Sequence, residues 1–143
     1  MIVLELRQQI ISQKMNKNFL YKQKEFSMPF YRWEEMNKKN LAKPSDSEGS
    51  IIIGDNITLN RSVSQPGRLA RPHSHGCEQL INIVSGTAWF RVGDEEKEVS
   101  AGDIIHVPVG TEHEFKNTGS EEMVYLSFKN ISDDWPPSTA TMD

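Results

Sequence analysis

Two imidazoles separated by a single residue, His73 and His75, lie inside a run bounded by Gly67 and Gly86, with a further donor at Gln79. In an extended strand, side chains at i and i+2 point the same way and stand about 6–7 Å apart along the backbone, a spacing that suits one metal ion. A second glycine-bounded run, Gly102 to Asn117, offers a distant third imidazole at His113. Three of the four histidines can therefore be placed on one site, and a fold that uses them must bring the two runs together.

The rest of the chain reads as short β-like runs. Strands are predicted near Ile51–Ile53, Ile57–Ser64, Leu69–Arg71, Gln79–Ser85, Thr87–Val92, Lys97–Ser100, Asp103–Val107, Glu112–Asn117 and Met123–Lys129. Gly86, Gly93-Asp94, Gly102, Val109-Gly110 and Thr118-Gly119-Ser120 punctuate them. Closely spaced strands without a convincing internal helix predict an all-β, double-sheet barrel of the jelly-roll kind. Tyr31 to Met36 reads as a short strand or helical turn that packs aromatics on the barrel exterior, and Lys43 to Gly49 as a loop. Asp133-Asp-Trp-Pro-Pro-Ser is expected to end ordered structure, because consecutive prolines cannot continue a ladder. The expected organisation is thus an N-terminal extension over 1–28, a barrel over 29–132 and a tail over 133–143.

The extension differs in charge from the rest of the chain. Residues 1–27 hold five Lys/Arg against two Glu, a net of +3 within a chain of net −4. An acidic remainder without a basic stripe argues against nucleic acid as a partner. Glu5 interrupts the opening apolar run, and neither a basic n-region nor a small-residue cleavage site is present, so the run does not read as a signal peptide. Leu6, Ile10, Ile11, Met15 and Phe19 fit a loose amphipathic helix; the simpler expectation is an extension that is disordered or packed on a partner, with Met28 as a candidate natural start. No run approaches the ~20 apolar residues of a transmembrane helix. The single cysteine, Cys77, excludes an internal disulfide and fits a reducing, cytoplasmic compartment.

The two glycine-bounded runs resemble the paired motifs of the cupin superfamily, G-x5-H-x-H-x3,4-E-x6-G and G-x5-P-x-G-x2-H-x3-N. The second is matched through Gly102, Pro108, Gly110, His113 and Asn117, and the first through Gly67, His73, His75 and Gly86, with Gln79 where glutamate is expected. The resemblance implies a cupin-type double-stranded β-helix with one divalent transition metal ion per chain (Zn, Mn, Fe or Ni) held by His73, His75, Gln79 and His113. Over roughly residues 29–130 the chain also resembles small single-domain cupins related to the pectin-degradation enzymes that linearise 4,5-unsaturated uronates, which use two histidines, a glutamine and a third histidine as ligands. Gly76-Cys77 departs from that group, where Pro-His follows the second histidine.

Strand parity sorts the remaining candidates. With Gln79 inward, Ile81 and Ile83 follow it, while Leu80, Asn82 and Val84 face the other way; with His113 inward, Phe115 follows. Glu78 is the chemically stronger ligand if a bulge exchanges its face with that of Gln79. Ile57, Leu59, Arg61 and Val63 share one face. If that face is the interior, Arg61 is a guanidinium in an apolar chamber and needs a carboxylate partner or an anionic ligand; otherwise it reaches the barrel mouth or a surface acid. Tyr125 can offer a hydroxyl, and nothing local decides its side. His106, Glu112 and Glu114 are expected at the surface and Cys77 as a packed thiol.

Three neutral imidazoles and a neutral amide leave a divalent ion's charge unreduced, which favours polarising carbonyls and attracting carboxylate oxygens. The expected function is Lewis-acid catalysis of the isomerase or lyase type on a small, anionic keto- or uronate-like metabolite, with Arg61 and Tyr125 as catalytic candidates. A non-haem iron dioxygenase acting on a catechol- or diketone-like substrate and a non-catalytic small-molecule-binding cupin are the alternatives. Pairing of open edge strands across a two-fold axis predicts a homodimer.

Overall fold

The computed structural model describes residues 29–138 and Ala140. The extension's amphipathic helix and Met28 fall outside the described residues. The chain divides into two units, 1–32 and 33–143, and the second carries the fold.

Among the described residues, nine antiparallel strands form two sheets. They are β1 (Glu48–Ile53), β2 (Ile57–Ser64), β3 (Leu69–His73), β4 (Gln79–Ser85), β5 (Thr87–Val92), β6 (Glu95–Ser100), β7 (Ile104–Val107), β8 (His113–Asn117) and β9 (Met123–Asn130). One sheet runs β1-β2-β9-β4-β7 and the other β3-β8-β5-β6. Apart from the β1–β2 and β5–β6 hairpins, successive strands pass between the two layers, which gives the expected jelly roll. The segment Tyr31 to Met36 holds a single 3-10 turn, Trp33–Glu35, with no buried residue.

Alternation decides what fills the space between the sheets. On β4, Ile81 and Ile83 are buried while Leu80 and Val84 are exposed, as the period of two requires. They meet Phe90 and Phe115, whose rings stack at 5.0 Å, and Tyr125, set edge-on to Phe115 at 5.6 Å. Gly86 carries the chain from β4 in one sheet to β5 in the other within one residue. It does so at φ +84°, where a Cβ would stand 2.5 Å from the Glu122 carbonyl oxygen, so only glycine fits. Asn117 closes the opposite connection: its buried amide donates to the carbonyls of Ser64 (2.8 Å) and Glu121 (3.0 Å) and accepts from the Gly119 N–H (2.9 Å).

Two expectations are corrected. On β2 the inward face is Thr58, Asn60, Ser62 and Ser64, all buried, whereas Ile57, Leu59, Arg61 and Val63 share the other face. Hydrophobicity misassigns this strand because its inner surface is hydrogen-bonded: Asn60 donates to Ser62 at 3.0 Å, and Thr58 accepts from the Trp135 indole at 2.7 Å. The tail also does not end ordered structure at Asp133. Ser132 and Trp135 bridge each other, and Trp135 is buried against Leu41, Ile51 and Cys77. The prolines stop the ladder without freeing the chain, because a large apolar ring is the residue just before them.

Candidate metal centre and its chamber

β3 and β8 are neighbours in one sheet, and their register sets His73 directly opposite His113. His75 follows in the loop to β4, and Gln79 opens β4 in the facing sheet. The imidazole centroids lie 4.2 Å (His73–His113), 4.9 Å (His75–His113) and 5.9 Å (His73–His75) apart. One ring nitrogen from each lies within 4.8 Å of the others.

The loop that carries His75 is held on three sides. The Gly76 N–H donates to Asp134 (2.7 Å), the Glu78 N–H to the Asn130 side chain (2.7 Å) and the Gly110 N–H to the His75 carbonyl (3.0 Å). Glycine suits position 76, since a Cβ there would come within 3.1 Å of the Asp134 carboxylate.

Each ring is oriented through Nδ1. The Nδ1 atoms of His73, His75 and His113 face the carbonyls of Arg71 (2.6 Å), Cys77 (2.8 Å) and Thr111 (2.9 Å). A carbonyl only accepts, so each Nδ1 carries the proton and each Nε2 presents a lone pair. The Gln79 amide nitrogen donates to Ser127 Oγ at 2.7 Å, which turns its carbonyl oxygen to 3.0 Å from His75 Nε2. Two acceptors at that distance repel unless a cation lies between or beside them. Burial also disfavours protonation: it lowers the pKa of His73 and of His75, and it takes His113 down to about 4. Four convergent acceptors that resist taking up protons form a donor set suited to a divalent transition metal ion.

The centre borders a partly open chamber of about 50 Å³. His73, His113, Phe115 and Ala70 line one side; Gln79, Ile81, Tyr125, Ser127 and Lys129 line the other; Ser47, Asn60 and Ser62 close one end and Trp135 another. Tyr125 is fully buried, with Ser45, Ser47 and Ser62 near its hydroxyl, and burial raises its pKa. Asn60 Oδ1 is buried with no partner among the described residues.

Of the candidate site residues, the structure brings together His73, His75, Gln79, His113 and Tyr125. It does not bring in Arg61, which stands on the outer face of β2. Glu78 points outward and meets the exposed His106 at 2.7 Å, leaving the inward position to Gln79. Glu112 and Glu114 both engage Arg91, at 2.9 and 2.6 Å. Cys77 is fully buried and its pKa raised by desolvation, which keeps it a protonated, packed thiol.

Sequence reasoning missed Lys129, Ser127 and Trp135. The available signal is parity: once Tyr125 faces inward, Ser127 and Lys129 must follow on β9. Lys129 is 6% exposed, with its ammonium 3.6 Å from the centroid of the Trp135 ring, and no carboxylate lies within ion-pair distance among the described residues. Desolvation lowers its pKa to about 8.

A Cupin_2 family model, describing the cupin domain, matches residues 60–129, which take in both motifs and all four metal-facing donors. The chain belongs to the cupin superfamily. Among curated relatives of this cupin, mannose-1-phosphate guanylyltransferase 2 of Escherichia coli O157:H7 is 26% identical over 122 residues, 83% of this chain and 25% of that protein. Gentisate 1,2-dioxygenase of a Ralstonia species is 30% identical over 92 residues, 64% of this chain and 26% of that protein. The chain thus spans about a quarter of the length of these relatives. The solved structure of KdgF from a Halomonas species is 19% identical with a TM-score of 0.64, covering 76% of this chain and 98% of that one, a likeness of fold.

The buried lysine gives a stability prediction. Unfolded, it stays protonated up to about pH 10.5; folded, it releases its proton near 8. Between those values the unfolded state holds the extra proton, so stability rises with pH there and is lowest, for this group, below pH 8. Lys129→Met is therefore expected to stabilise the protein at pH 7 by about 1–3 kcal/mol, after allowing for the lost contact with the indole. Urea denaturation at pH 7 and pH 10 checks this, with a smaller gain at the higher pH.

Proposed function

We propose that this cupin is a metal-dependent enzyme of the isomerase or lyase type acting on a small keto- or uronate-like carboxylate. The observation that carries the reading is the all-neutral donor set of three Nε2 lone pairs and the Gln79 carbonyl oxygen at the wall of a largely buried chamber. A divalent ion bound there would act as a Lewis acid on a substrate carbonyl. The chain's own groups supply the rest. Ser127 holds the Gln79 amide in its ligating orientation, and the backbone carbonyls of Arg71, Cys77 and Thr111 hold the imidazole tautomers. The Tyr125 hydroxyl, kept protonated by burial, would turn from its serine neighbours to donate to a substrate oxygen as negative charge builds on it. Phe115, Ile81 and Trp135 exclude water, which strengthens each of these interactions.

The similarity to gentisate 1,2-dioxygenase supports a second reading, iron-dependent dioxygenase chemistry on a catechol-like substrate. Oxygen uptake by the Fe(II)-loaded protein separates it from the first.

One divalent ion per chain is expected. Replacing His75 and His113 together with alanine should abolish metal uptake as measured by elemental analysis after dialysis; unchanged content would remove the assignment.

Gln79→Glu should retain metal, with tighter binding, since carboxylate is the stronger ligand. Turnover of an anionic substrate should nevertheless fall about ten- to a thousandfold, because a negative charge next to the ion opposes both substrate approach and the charge developing on its oxygen. Equal or higher activity would move the redox reading to first place.

A homodimer belongs to this proposal. Edge strand β7 pairs with another strand on one side only in the sheet order, and pairing across a two-fold axis would satisfy its other side. Light scattering at working concentration is expected to give twice the chain mass, and a monomer would count against it.

A further inference from the structure

Buried ammonium groups need compensation, and Lys129 has very little. It is the cation among the described residues of the chamber wall, it meets an aromatic face, the Asp134 carboxylate acts on it only from beyond ion-pair distance, and all three imidazoles beside it are neutral. Its position is fixed by register: Lys129 pairs directly with Gln79 across β4 and β9. Side chains of directly opposed residues share a face, with Cβ atoms about 4.5–5.5 Å apart, so the ammonium and the ligating amide flank the same space. Trp135 in turn is pinned by its indole N–H to Thr58 Oγ1 at 2.7 Å, and Thr58 pairs with Lys129 across β2 and β9. The lysine is thus guided to the chamber by ordered neighbours on both sides.

The geometry points to Lys129 as the anion anchor of the chamber, holding the carboxylate of a short-chain oxo-acid whose carbonyl oxygen faces the imidazoles. This rests on the function proposed above and narrows its substrate class. The cation considered at Arg61 on β2 is supplied from the adjacent strand, β9, instead. Size sets the second limit. A chamber of about 50 Å³ has room for roughly three or four waters, the bulk of an acid of about three carbons. A six-carbon uronate would extend out of it through the open side of the chamber. Binding of the carboxylate would also neutralise the buried charge, so the cost that Lys129 imposes on the empty fold is returned when the ligand enters.

The test uses pyruvate and its neutral, similarly shaped counterpart pyruvamide as probes. Each is titrated by calorimetry or protein-observed NMR, at concentrations up to about 20 mM, into zinc-loaded and chelator-stripped protein. Wild type should prefer pyruvate by tenfold or more in both forms. Lys129→Met should lose at least tenfold of its pyruvate affinity, hold pyruvamide within twofold, take up zinc as wild type does, and melt at or above the wild-type temperature. Loss of both probes alike, or a lowered melting temperature, would make Lys129 a structural neighbour of Trp135 and overturn the proposal. The stripped wild type gives a variant-independent check, because Lys129 is then the charged group lining the chamber; absence of a pyruvate preference there also overturns it. Failure of wild type to take up zinc would remove the metal reading while leaving the stripped-protein comparison to decide the role of Lys129.

Discussion

The structure of the site depends on three short contacts in which an imidazole Nδ1–H donates to a backbone carbonyl. Each contact joins a ring to a residue two positions away, Arg71 for His73, Cys77 for His75 and Thr111 for His113. Rotation of any ring would strand its proton in a poorly solvated place, so tautomer and orientation are chosen together. The three free lone pairs then have nowhere to point but at one another. This mutual repulsion is a cost of folding, and it is tolerable because the sheets around the site are already committed: β3 to β8 by the His73–His113 register, and β4 to β9 by the pair that includes Gln79.

The same commitment explains the division of labour between the sheets. The four-stranded sheet supplies His73 and His113, while the five-stranded sheet supplies Gln79, Ser127, Tyr125 and Lys129. The His75 loop bridges them, with Asp134 and Asn130 from the end of the chain holding its backbone. The polar inner face of β2 completes the arrangement, since Ser62 there, with Ser45 and Ser47 ahead of β1, lies near the buried Tyr125 hydroxyl, which an apolar wall would leave without polar neighbours.

Much of this is legible in the sequence, for reasons that differ by residue. The strand bounds follow from turn glycines with positive φ at Gly67, Gly86, Gly93, Gly102 and Gly110, a backbone requirement that marks itself in the sequence. The choice of Gln79 over Glu78 follows from parity within a strand whose other inward residues, Ile81 and Ile83, are plainly apolar. Parity fails as a guide where the interior is polar. On β2 it favours the apolar residues as the inner face, because nothing in the strand itself reveals that a buried surface can be built from serine and asparagine. Lys129 escapes for the same reason: a lysine two residues before Ile131 reads as the solvated end of a strand, and its burial depends on Trp135, whose position the adjacent prolines disguise.

The placement of Trp135 also bears on where this cupin begins and ends as a working unit. The stretch matched by the cupin-domain family model stops at residue 129, yet the indole that roofs the chamber and the Asp134 carboxylate that grips the His75 loop both come later. The sheets alone are therefore a scaffold with an open side. Access to the chamber thus depends in part on a few residues beyond that stretch, and a change in this short closing segment would alter ligand access while leaving every metal-facing donor in place.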